Sequence, residues 1–300
     1  MQTNTPSRKT VTLTRRGRLA LVVSGAVLAG TAVAAPLLTL REDGPVRPHA
    51  LVIPEGWRAA QVYAAVDRAL DVPPGSTWQT AAKGGLGLPE VAEGNPEGYL
   101  FPATYRIDDR STPRSLLSAM VGAAARKFTA APLGAGPQRT TMNLHQAVTI
   151  ASIVQAESAA KADMGKVARV IFNRLEQGMP LQMDSTLNYG LDRTTVRTTA
   201  EDTRIDSPYN SYQRMGLPPT PIDNPGEDAL RAVYNPAPGD WLYFVTVKPG
   251  DTRFTADYTQ HQRNVDEFNA RRQSLAQQGT GQQRQHQPEQ GTRSPQPAPK

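Results

Sequence analysis

One carboxylate in this sequence is set apart by its neighbours. Glu157 closes the run Ala147-Val148-Thr149-Ile150-Ala151-Ser152-Ile153-Val154-Gln155-Ala156-Glu157, and the residues three, four and seven places before it are Val154, Ile153 and Ile150. In a helix that spacing sets the carboxylate on an apolar stripe. A carboxyl group shielded from water is costly to ionise, so its pKa rises towards neutrality, as a general acid requires. The residues alone equally allow a helix-end glutamate paired with a cation such as Lys161. Asp184, in Leu181-Gln182-Met183-Asp184, is the best candidate for a second carboxylate, set against an ordinary role as a loop or cap residue. The chain has no cysteine, which excludes a thiol nucleophile, disulfides, thiolate zinc sites and a lipidated cysteine. Its 4 histidines are scattered, so neither a metal centre nor a cofactor is expected.

The elements that must position Glu157 can be sketched. Asn143 is placed to cap its helix, with Gln146 returning the bond as in a capping box. Val167, Val170, Ile171 and Leu175 give a second amphipathic helix that Gly178 can end. Trp241 to Val247 reads as a buried strand, Lys248-Pro249-Gly250-Asp251 as a turn, and Thr252-Arg253-Phe254 as the return strand. A last helix is expected from Ala256 to Ser274. Near the start, Leu51-Val52-Ile53 reads as a strand, Pro54-Glu55-Gly56-Trp57 as a turn, and Ala59 to Leu70 as a helix through Val62, Val66 and Leu70. The fold class is α+β, with helices packed on a small sheet and a cleft beside the helix that carries Glu157.

The ends of the chain are of another kind. Leu19 to Leu40 runs without a charge, enough to span a hydrocarbon core of ~30 Å. Arg8, Lys9, Arg15, Arg16 and Arg18 precede it, so the basic segment 1–18 is expected to stay cytoplasmic and everything beyond residue 41 to lie outside. A cleaved export signal is the competing reading, from Ala32-Val33-Ala34 and Thr14-Arg15-Arg16. Residues 41–50 form a linker, and 276–300, rich in Gln, Pro, Gly and Arg, are expected to be disordered. The net charge of +6 resides in these ends: 1–18 contribute +5 and 271–300 contribute +4, leaving −3 for the body. A nucleic-acid partner is therefore disfavoured.

Around Glu157 the sequence resembles a known family. Ala151-Ser152-Ile153-Val154-Gln155-Ala156-Glu157-Ser158 is similar to the signature of the endolytic murein transglycosylases of the YceG-like type, in which a helix ends in an essential Glu followed by a small hydroxyl residue. The resemblance takes in Glu97-Gly98-Tyr99-Leu100-Phe101-Pro102-Ala103-Thr104-Tyr105 and Val170-Ile171-Phe172-Asn173-Arg174-Leu175. It continues through Gly178 to Thr186, Ser207 to Tyr212, Gly216 to Ile222 and Leu242 to Val245, in the expected order. Three positions depart from the pattern: Gln155 where an acid is usual, Ser185 where Pro is common, and Arg253 where His is usual. Gln155 lies about 160° round the helix from Glu157. The N-terminal part is short, so only the last portion of a LysM-like glycan-binding module is represented, within 51–95, ahead of a catalytic domain over 96–275.

The resemblance implies a membrane-held, single-pass enzyme that cuts glycan strands of the bacterial wall with Glu157 as its catalytic residue. Glu157 would protonate the oxygen bridging N-acetylmuramic acid and N-acetylglucosamine, then as carboxylate take the proton from the muramic C6 hydroxyl, leaving a 1,6-anhydro end. A glycosidase that uses water ordinarily needs two carboxylates; no second acid stands close to Glu157 in sequence. Gln182, Asp184, Thr186, Tyr189, Tyr209, Asn210 and Tyr212 are the implied substrate-binding residues. The implied partners are glycan strands, the membrane and the peptidoglycan synthases. Two rivals stand beside this reading: a muramidase-type hydrolase using Glu157 with Asp184, and a non-enzymatic wall-binding scaffold. The short linker predicts a cut close to the membrane, on new strands.

Overall fold

The computed structural model describes residues 50–129, 142–194 and 198–285. The expected basic segment, membrane span and all but the last residue of the linker lie outside these residues, as does the tail from 286 onward. Among the described residues no helix is long and apolar enough to cross a membrane. The described residues fall in one compact unit.

The described chain is α+β. Strand β1 (Ala50–Val52) leads into α1 (Ala59–Leu70) and α2 (Ser76–Ala82), then β2 (Thr104–Arg106) and α3 (Pro113–Thr129). Next come α4 (Leu144–Glu157), α5 (Met164–Glu176), α6 (Asp184–Gly190), α7 (Glu227–Tyr234), β3 (Tyr243–Lys248), β4 (Asp251–Thr255) and α8 (Tyr258–Gln285). In place of one small sheet there are two antiparallel pairs, β1 with β2 and β3 with β4. Strand β2 escapes a sequence reading because Thr104–Arg106 is only 3 residues long, too short to show a period; its ladder with β1, Leu51 opposite Tyr105, makes it a strand.

Two apolar clusters hold the structure. One gathers β1, α1 and α3 through Leu51, Val62, Val66, Leu117 and Met120, with Leu100 and Ile107 contributed from beyond residue 96. The Leu51–Leu70 layer thus shares its core with chain on both sides of the expected boundary at 95. Asp67, buried on α1, accepts from Thr77 N (2.8 Å), Thr77 Oγ1 (2.6 Å) and Gly75 N (2.7 Å), which fixes α2 against α1. A buried carboxylate is tolerated because every bond it needs is made.

The second cluster surrounds α4. Asn143 Oδ1 accepts from Gln146 N (2.8 Å) and Gln146 Oε1 from Asn143 N (3.0 Å), the expected capping box. Every residue from Ala147 to Val154 is buried, so α4 is apolar on all sides and runs through the core, instead of showing a single stripe. α5 packs beside it with Val167, Val170 and Ile171 buried, and its chain turns away at Gly178, whose φ is +63°. Asn173 and Arg174 on α5 take the carbonyls of Trp241 (2.9 Å) and Leu242 (2.6 Å). The ladder of the β3–β4 hairpin therefore starts at Tyr243, and β3 is half-buried where a buried strand is expected. α8 passes the expected end at Ser274 and reaches Gln285. Gln, Arg and Ala are good helix formers, and their propensity outweighs the lack of apolar anchors that predicts disorder.

Candidate active site

Glu157 stands where α4 leaves the core. Val154 is fully buried, Ala156 is exposed, and Glu157 is half-buried at the last helical position. Its Oε1 accepts from the Ser185 amide (3.0 Å) at the start of α6. Burial raises its pKa, opposed by the Ser185 hydroxyl and amide, and the nearby Asp184 charge raises it further. Two hydroxyls at the site, Ser158 Oγ and Ser185 Oγ, are buried without a hydrogen bond of good geometry among the described residues. Lys161 is not its partner: that ammonium reaches Asp228 (2.8 Å) and Glu55 (3.8 Å). The helix-end ion pair that the residues alone allowed is thus absent, and the carboxyl is left to protonate.

Asp184 is the first residue of α6 and makes no cap; its Oδ1 accepts from the Tyr212 hydroxyl (2.5 Å). Tyr212 has its phenol pKa raised by burial, then by Asp184, and then by Glu157. Glu157, Asp184 and Tyr212 are thus one electrostatic group. Gln182, exposed and at φ +51°, lies just before them and is held by Arg174. The buried Arg174 guanidinium donates from Nη1 to Pro180 O, Leu181 O and Gln182 Oε1, each at 3.0 Å. Such charge-assisted bonds to carbonyls fix a loop firmly.

The other expected contacts separate. Tyr189 and Tyr209 meet edge to face, with ring centres 5.0 Å apart, one helical turn farther along α6. Thr186 is fully buried, bonded to Met183 O and Ser211 Oγ at 2.8 Å each. Asn210 is buried too, its amide donating to Thr203 O (3.0 Å) and Ile205 O (2.8 Å). These two shape the loops and present no polar atom to a ligand. Gln155 accepts from Gly226 N (3.1 Å), a bond that ties α4 to α7.

Beside Tyr189 lies a site that the sequence reading missed. Glu97, 4% exposed, accepts from Ala59 N (2.8 Å) and Asn224 Nδ2 (3.2 Å) through Oε1, and from the Tyr189 hydroxyl (3.2 Å) through Oε2. Its pKa is pushed up to about 7 by burial, with these hydrogen bonds and Arg58 opposing. Asp223, also buried, has its pKa raised by burial and then by Glu97, and its Oδ1 has no partner among the described residues. The Arg58 guanidinium lies over the Tyr189 ring at 5.0 Å. The signal in the sequence was there: Glu97 is a lone acid entering Tyr99-Leu100-Phe101, and Asp223 follows Pro221-Ile222. Acids embedded in apolar runs are either paired or neutral.

The chain is similar to several known proteins. A model of the YceG-like family matches residues 28–267. A Bacillus subtilis (strain 168) protein named endolytic murein transglycosylase is 35% identical over 173 residues, covering 57% of this chain and 48% of that protein. A Streptococcus pneumoniae serotype 2 protein of the same name is 37% identical over 177 residues, covering 57% of this chain and 32% of its own. The chain therefore aligns with about half of the first relative and a third of the second. The crystal structure of a yceG-like protein from Listeria monocytogenes superposes with a TM-score of 0.63 at 28% identity, covering 73% of this chain and 76% of that one.

Proposed function

The chain belongs to the YceG-like family, and we propose that it is an endolytic lytic transglycosylase, a lyase of peptidoglycan, in which Glu157 acts first as acid and then as base. The observation that carries this reading is the state of Glu157: at the mouth of the core, without a cationic partner among the described residues, with its pKa raised by burial. Protonated, it can give its proton to the bridging oxygen between N-acetylmuramic acid and N-acetylglucosamine. Ionised, it can take the proton of the muramic C6 hydroxyl, which closes onto C1 as the glycosidic bond breaks. No water is consumed, so no second carboxylate is required. Asp184 has a different task here, since its charge adds to the rise that burial gives the pKa of Glu157 and the Tyr212 hydroxyl occupies one of its oxygens.

Residues 19–40 serve in this proposal as a single-pass anchor in the plasma membrane, with the N-terminus cytoplasmic and the described residues outside. Nascent strands beside peptidoglycan synthases are then the substrate within reach. The layer over 51–95 serves as a reduced LysM-like contact to the strand. The test is mass spectrometry of glycan digested by the intact chain and by Glu157→Gln. Anhydro ends from the parent and none from the variant are expected. Products heavier by one water would establish a hydrolase, and unchanged digestion by Glu157→Gln would remove Glu157 from the chemistry.

A further inference from the structure

Away from Glu157, the surface carries an aromatic group that the mechanism does not use. The Tyr243 ring lies over the Arg174 guanidinium at 5.1 Å. His261 stacks on Tyr243, with centres 5.0 Å apart and planes at 21°. Tyr258 completes the group, 5.5 Å from Tyr243 and 6.4 Å from His261. Tyr243 and His261 join β3 to α8, and that packing accounts for both. It does not account for Tyr258, which is 57% exposed at the first position of α8. A large ring on the surface gains little by burial, so its presence beside two half-buried rings calls for something to cover it.

What covers it follows from where the group sits. The same guanidinium that supports Tyr243 holds Gln182 Oε1 at 3.0 Å. Gln182 is two residues from Asp184 and three from Ser185, whose amide holds Glu157. Through that one guanidinium the aromatic group adjoins the Gln182 loop that leads into the candidate active site, so a polymer lying in that site would pass on to it. A pyranose ring offers an apolar face of C–H groups and a polar edge. It suits a tyrosine ring backed by other aromatics, because flat rings give contact area at little cost in side-chain freedom.

We propose that Tyr258, supported by Tyr243 and His261, is a stacking subsite for a sugar ring of the glycan strand, displaced along the chain from the bond that Glu157 cuts. The subsite rests on the glycan-cleaving reading of Glu157. It gives the enzyme a grip on long strands that short fragments cannot use, and so favours cuts within a strand over trimming of its ends.

The experiment uses the full chain carrying Glu157→Gln, which stops turnover, and titrates it with peptide-free glycan strands and separately with a peptide-free disaccharide. Adding Tyr258→Ala should weaken strand binding about tenfold, a size typical of ring stacking. Tyr258→Trp should restore it, and disaccharide binding should not change. Tyr258 is exposed, so thermal unfolding should be the same for all three proteins. Equal strand affinity with and without the ring would overturn the subsite. An equal loss for the disaccharide would also overturn it, by placing Tyr258 at the cut. If the parent binds neither probe, the glycan reading fails first and takes the subsite with it.

Discussion

Glu97→Gln isolates the electrostatics of the buried acid beside Tyr189. Glu97 is 4% exposed, and burial takes its pKa from 4.5 to about 7 against the pull of its hydrogen bonds and Arg58. Because the folded-state value lies above the unfolded one, the fold favours the protonated form. That contribution is complete below pH 4.5 and is lost as pH rises through about 7. At 1.36 kcal/mol per pKa unit the loss comes to about 3 kcal/mol. Gln has the same shape. Its carbonyl oxygen can still accept from Ala59 N and Asn224 Nδ2, and its amide can donate to the Tyr189 hydroxyl, which reverses its own role. Parent and variant should therefore be equally stable near pH 4.5, with the variant ahead by about 3 kcal/mol at pH 8.5. Urea unfolding of both proteins at the two pH values measures the gap directly, and the difference cancels the shared groups that do not feel the Glu97 charge. A gap that stays constant with pH would refute the reasoning, since it would mean that Glu97 does not titrate differently in the fold.

Two further outcomes follow from other contacts. Asp184→Asn removes a charge that raises the pKa of Glu157, so the alkaline limb of kcat/KM should move to lower pH; an unmoved or raised limb would contradict the coupling. Gly98→Ala should cost about 3 kcal/mol or more in urea unfolding, combining left-handed strain with overpacking, because Gly98 sits at φ +86° and an added Cβ would come within 2.6 Å of Pro221 and 2.8 Å of Val148. Gly94→Ala, at φ +81° with nothing within 4 Å, carries the strain alone and should cost about 1 kcal/mol.

The sequence was most legible where local pattern and tertiary demand coincide. Ala59–Leu70 follows its periodicity, and the Asn143–Gln146 capping box forms as the residue types require. The hairpin turn at Lys248 to Asp251 is likewise carried by Pro249 and Gly250. Legibility failed where structure depends on remote partners. Thr104–Arg106 becomes a strand only by pairing with Ala50–Val52. The stripe through Ile150, Ile153 and Val154 was a correct spacing, but it could not show that α4 is enclosed on every side. At the site, the apolar neighbours of Glu157 were enough to anticipate a shielded carboxyl with a raised pKa. The resemblance implies Thr186 and Asn210 at the substrate, yet only the fold reveals that their polar groups bond inward. Arg174 was overlooked because a basic residue late in an amphipathic helix looks like a solvated one, and nothing local signals the carbonyls it will meet.

A single residue that must act as acid and then as base has a stricter requirement than one of a pair, since both of its protonation states have to be reachable in one site. Burial alone would hold Glu157 protonated and give an acid that cannot serve as a base. A hydrogen-bonded ion pair with Lys161 would do the reverse. The fold avoids both extremes: burial and the Asp184 charge raise the pKa, while the Ser185 amide and hydroxyl oppose the rise. The balance depends on the position of α6, which at seven residues is too short to be stable by itself. Its register is fixed at the start by the Thr186 and Ser211 bonds to Met183 and by the loop that Arg174 clamps. One turn on, Tyr189 bonds Glu97, the acid that receives the first amide of α1. Ser185 and Tyr189 are four residues apart and share a face of the helix. The same short helix therefore meets the proposed catalytic carboxylate, Glu157, at one end and the Leu51–Leu70 layer at the other. The tuning of Glu157 is in this way a property of the packing around α6, more than of any second acid.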